Sequence, residues 1–144
     1  MQVSGVGHRG FIKIGLTPEE QREVEKLRAI DRKVKAHEMA HLAAAGPYAR
    51  GVYFSYVRGP DGVLYAVAGE VKLDVSKVPN DPDATIKKAE IIERAALAPA
   101  DPSPQDYAVA AKARAMKMQA LMEKWRKERE EQNQQKGQIL NIKV

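Results

Sequence analysis

The stretch from Thr17 to Pro47 constrains this chain more than any other. Thr17-Pro18-Glu19-Glu20 has the chemistry of a helix start. Thr17 can cap, Pro18 suits the first helical position, and Glu20 completes a capping box. Val24, Leu27, Ile30, Val34, His37, His41 and Ala44 then recur at helical spacing, and Gly46-Pro47 closes the run. A helix of this length must lay its apolar stripe on something. Ala36, Ala40, Ala43, Ala44 and Ala45 keep its last turns narrow, so a neighbouring element can approach closely.

The neighbour is legible downstream. Residues 52–58 and 63–73 are rich in β-branched and aromatic residues, and Gly59-Pro60-Asp61-Gly62 between them is turn chemistry, which predicts a β-hairpin. Asp81-Pro82-Asp83 opens a second helix that runs to about Leu97. Pro99, Pro102 and Pro104 stiffen the connection after it, and Ser103 caps a last helix. An apolar stripe of Ala108, Ala111, Ala115, Met118, Met122 and Trp125 marks the face of that helix expected to pack. The order helix, hairpin, helix, helix is an α+β arrangement with the hairpin packed on the first helix. It gives a flexible N-terminal arm at 1–16, one domain at 17–126, and a charged, partly disordered tail at 127–144, where the last helix is expected to fray.

Composition narrows the chemistry. The chain has 144 residues and no cysteine, so thiolate zinc sites and thiol catalysis are excluded and any metal must sit on His, Asp or Glu. No stretch has the length of a membrane span or of a signal peptide, which leads to the expectation of a soluble, cytoplasmic protein. The net charge of +5 is mild and falls largely on the last helix among glutamates. A solvated helix face accounts for it better than a nucleic-acid site does.

Within the first helix, His37 and His41 stand four residues apart and therefore stack on one face. Two imidazoles so placed can reach one tetrahedral ion. Glu38, beside the first, can take a proton from water and later return it to a leaving amine. His-Glu-x-x-His thus supplies two ligands and a general base within one turn. Burying these groups in a helix seam with no shared purpose would cost polar desolvation, so metal is the stronger reading.

For a third ligand the hairpin offers Glu70. Alternation puts Leu64, Ala66, Ala68, Glu70, Lys72 and Asp74 on one face of the second strand, and Gly69 would allow close backbone approach. Asp74 lies too far along the strand to share the role. His8, Glu90 and Glu93 are weaker candidates, the last two being expected in solvent beside Lys87, Lys88 and Arg94. Asp31 either pairs with Lys35 or orients a histidine. Of Tyr53 and Tyr56, which point to opposite faces, only one could stabilise an oxyanion.

Four blocks of the chain carry a resemblance. Lys35 to Ala49 holds the His-Glu-x-x-His run, Gly59 to Gly62 is followed by Tyr65-Ala66-Val67-Ala68-Gly69-Glu70-Val71, and Asp81 to Ile86 and Ala96 to Asp106 complete the set. In this order they resemble a bacterial family of SprA-related zinc metalloproteases. The resemblance implies a minimal zincin-like fold and a zinc peptidase acting on a peptide or protein, with Zn²⁺ on His37, His41 and Glu70 and with Glu38 as the catalytic base. The alternative is a non-catalytic protein-binding module, its metal structural or absent, that docks a partner through the long last helix.

Overall fold

The computed structural model describes residues 15–143. Helix α1 spans Pro18–Ala45, a 3₁₀ turn follows at Gly46–Tyr48, and strands β1 (Ala49–Arg58) and β2 (Leu64–Leu73) form a two-stranded sheet. Helices α2 (Pro82–Ala96) and α3 (Pro104–Lys143) complete the chain. The class is α+β, as expected. No described helix is long and apolar enough to cross a membrane. The arm expected at 1–16, including His8, lies almost wholly outside the described residues.

The described residues divide into two compact units, and the division falls within α1. One unit holds α1 up to Met39 with Val52–Glu70; the other holds Ala40–Gly51 with the chain from Val71 onward.

In the first unit, α1 starts on the predicted capping box. The Thr17 amide donates to Glu20 Oε1 at 2.9 Å, and the Glu20 amide donates to Thr17 Oγ1 at 3.1 Å. Val24 is buried on the predicted stripe. The hairpin turn closes as the sequence demands. The Gly62 amide donates to Gly59 O at 2.9 Å, and Gly62 takes a φ of 80°, which a side chain would strain. At the other end of the turn a Cβ on Gly59 would lie 2.8 Å from Tyr65 Cε2 and 3.3 Å from Leu27 Cδ1, so only glycine lets the turn sit against α1. Asp31 fastens the strand to the helix. It accepts a 2.8 Å hydrogen bond from the Ala66 amide while pairing with Lys35 at 3.2 Å. Both bonds draw its pKa down, the backbone bond most.

In the second unit, the core joins Ala89 and Ile92 of α2 to Ala113 and Met116 of α3, with Tyr48, Leu73, Val75 and Val109 packed around them. Alanine dominates the seam: Ala95, Ala110 and Ala113 are fully buried. Small residues at such a seam let two helices approach closely. Three ion pairs flank the seam, Glu93–Arg114 at 2.9 Å, Glu90–Lys117 at 2.8 Å and Asp83–Lys124 at 3.0 Å. Numbers rise along one helix as they fall along the other, the register of an antiparallel pair.

Two expectations about this unit are corrected, the apolar stripe of α3 and the placing of Glu90 and Glu93 in solvent. The stripe Ala108, Ala111, Ala115, Met118, Met122 and Trp125 is exposed; α3 buries Ala110, Ala113, Met116 and Ala120 instead. The helix is so rich in alanine that two stripes of equal spacing run along it, and shape chose the slimmer one. Glu90 and Glu93 pair across to α3, and Lys88 turns inward. Its Nζ meets Asp74 at 3.0 Å beneath the Tyr48 ring, 5.4 Å from the ring centroid. Helix α3 also continues past Arg126 to Lys143. Residues 127–136 are exposed and mostly good helix formers, and Arg126–Glu130 is a favourable spacing.

Candidate metal centre

The site begins with the phase of α1. Its buried stripe runs from Val24 to Ala45, and Glu38 and His41 are buried on it, at 4% and 3% exposure. Ala45 occupies the end of the stripe where Ala44 was expected.

The His41 ring is held at both nitrogens. Nδ1 lies 2.8 Å from the Ala95 carbonyl oxygen. A carbonyl can only accept, so Nδ1 carries the proton and donates it. Nε2 lies 3.2 Å from Asp106 Oδ1, close enough for an Nε2–H donated to the carboxylate or for an ion held between the two atoms. A lone pair and a carboxylate oxygen at that separation repel unless positive charge lies between them. A tetrahedral ion with bonds of about 2.0–2.1 Å holds its ligand atoms about 3.3 Å apart, close to the spacing seen.

His37 stands one turn earlier on the same helix. One ligand atom from each of His37, His41 and Asp106 lies within 4.8 Å of the other two. Two imidazoles and a carboxylate form a donor set that suits a divalent transition metal.

Asp106 was not among the ligands read from the sequence. It sits in the first turn of α3, where Ser103-Pro104-Gln105-Asp106 looks like a capping sequence and nothing more. The structure shows that it is one. The Asp106 amide donates to Ser103 Oγ at 3.1 Å, and the Ser103 amide donates to Asp106 Oδ2 at 2.9 Å. The box uses one carboxylate oxygen, and the other faces His41. The available signal was chemical: an aspartate closing a capping box keeps an oxygen to offer.

Glu70, the strand carboxylate expected as third ligand, is half-buried. The three-residue cluster holds Asp106 in the place foreseen for it. Gly69, directly before Glu70, makes the close approach that its lack of a side chain suggested. A Cβ there would fall 2.8 Å from Glu38 Cγ, 3.1 Å from Glu38 Oε2 and 3.0 Å from Phe54 Cδ1. Strand β2 therefore runs with its backbone against the general-base candidate. Tyr53 and Tyr56 are both exposed. The remaining candidates, Glu90 and Glu93, are committed to the α2–α3 ion pairs.

With this geometry in view, the sequence was compared with known proteins. It matches the SprA-related family over residues 16–142, nearly all of its length. The chain belongs to the SprA-related family. Searches of curated proteins and of solved structures returned no match. The matched segment takes in His37, Glu38, His41, Glu70 and Asp106.

Proposed function

We propose that this SprA-related protein is a zinc-dependent metallopeptidase that hydrolyses peptide bonds. His37, His41 and Asp106 would hold Zn²⁺, and Glu38 serves as general base. A zinc ion bound there would lower the pKa of a water toward neutrality and polarise the scissile carbonyl. The protein's own groups do the rest. The Ala95 carbonyl keeps the His41 proton on Nδ1, so that Nε2 stays basic. The Asp106 carboxylate supplies negative charge to balance the ion. The Glu38 carboxylate accepts a proton from the attacking water and returns it to the leaving amide nitrogen. Backbone packed at Gly69 keeps the Glu38 side chain from swinging away.

The observation that carries this reading is His41 Nε2 facing Asp106 Oδ1 at 3.2 Å, with Nδ1 already committed. A shared proton could also join that pair, but a second imidazole beside it has no use for the same proton and does have use for a metal.

The test combines elemental analysis with cleavage of an unfolded protein substrate. Purified protein should carry about one zinc per chain. Glu38→Gln should retain the zinc and lose at least about a hundredfold in rate; unchanged cleavage would exclude Glu38 as the base. Asp106→Ala should lose the metal. Glu70→Ala tests the strand carboxylate: retained zinc leaves the ligation to the triad, whereas lost zinc returns Glu70 to the ligand set.

A second reading, partner binding without catalysis, draws on one observation. Met118, Met122 and Trp125 are each more than half exposed on one face of α3, the residue types that anchor interfaces. Zinc-free protein with no hydrolytic activity would favour it.

A further inference from the structure

Both carboxylate oxygens of Asp106 are engaged. Oδ1 faces His41 Nε2, while Oδ2 accepts the Ser103 amide at 2.9 Å. Ser103 Oγ in turn accepts the Asp106 amide at 3.1 Å, so the backbone and the carboxylate of Asp106 are pinned by one residue. The two bonds close a ring that ties the Asp106 carboxylate to the start of the helix. Pro102 and Pro104 on either side of Ser103 restrict its backbone, so the ring rests on a stiff frame.

We infer that Ser103 is a positioning residue for the metal centre: its capping box aims Asp106 Oδ1 at the ion. This rests on the metal-site reading above. The box does more than start a helix, because the acceptor that satisfies the helix amide belongs to a candidate ligand. Partners that orient ligands in this way typically contribute 10–100-fold to metal affinity.

The experiment measures zinc affinity on the full chain, stripped with chelator and titrated against a competing zinc indicator, beside thermal melting of the apo protein. Ser103→Ala should weaken zinc binding about tenfold, and Ser103→Thr, which keeps the hydroxyl, should restore it. The control is Asp81→Ala. Asp81 caps α2 through its bond to the Ala84 amide at 3.0 Å, and it is outside the donor set. Its loss should lower the melting temperature and leave zinc affinity unchanged. Equal affinity in Ser103→Ala and wild type would overturn the inference. So would an equal drop in Asp81→Ala, since affinity would then merely follow stability. A wild-type chain that binds no zinc would instead overturn the metal-site reading beneath it.

Discussion

At Gly69 a missing side chain is the feature that matters. A methyl group there would lie 2.8 Å from Glu38 Cγ, closer than atoms tolerate, and 3.0 Å from Phe54 Cδ1, a tight contact. Gly69→Ala should therefore destabilise the protein by about 1–3 kcal/mol, as overpacking does, read by urea unfolding. On the proposed mechanism it should also lower cleavage more than zinc content, because the displaced group is the proposed base and not one of the proposed ligands. Equal losses in zinc and rate would point to general collapse. The glycine was legible in the sequence as a close approach, since a glycine inside a strand usually marks one. What it approached was not, because alternation alone does not say which side of a strand meets a helix. His37, Glu38 and His41 were legible for the opposite reason: their relation is set by one helix and needs no tertiary knowledge. Asp106 needed the fold. Its partner His41 is distant in sequence, and its capping role masked the oxygen that faces His41.

Among the elements, the segment after β2 carries a dense electrostatic cluster around Asp74. Asp74 meets Arg50 at 2.6 Å, Lys88 at 3.0 Å and both polar groups of Ser76, and these bonds drive its pKa far below the ordinary carboxylate value of 3.8, the Ser76 hydroxyl most and Lys88 next. A folded pKa below the unfolded one means the stabilisation is complete above pH 3.8 and is lost as pH falls through the folded value. Acid unfolding should thus begin below about pH 4 and lose part of its steepness in Asp74→Asn. That variant also strands the buried Lys88 ammonium and should cost about 3 kcal/mol at neutral pH, measured by chemical denaturation. A shift well under 1 kcal/mol would mean the lysine finds water instead. The sequence hinted at none of this, because a lysine on a helix reads as surface until the neighbour that buries it is known.

Across the molecule, two apolar stripes compete on α3, and only the buried one should register in stability. Ile92→Ala, at a fully buried position facing α3, should cost about 2–5 kcal/mol. Met122→Ala, at 63% exposure, should change stability by less than about 0.5 kcal/mol. Equal effects, read by thermal unfolding at one protein concentration, would put the core on the other face. Element order and class followed from caps, turns and periodicity, which are local. Which side of α3 faces inward did not, because with so many alanines the pattern allows two answers and packing decides.

The charges flanking α2 and α3 settle a question that alanines leave open. Smooth helix surfaces can slide past each other with little change in contact, so an alanine seam by itself is a poor ruler. Here each carboxylate of the three pairs stands on α2 and each cation on α3. Displacing α3 lengthwise by one turn would pull every cation off its partner together, which gives the pair a single preferred alignment. Individually such surface pairs contribute at most about 1 kcal/mol. Acting in phase, they work as a vernier that sets how far the first turn of α3, and the carboxylate it carries, sits along its neighbour.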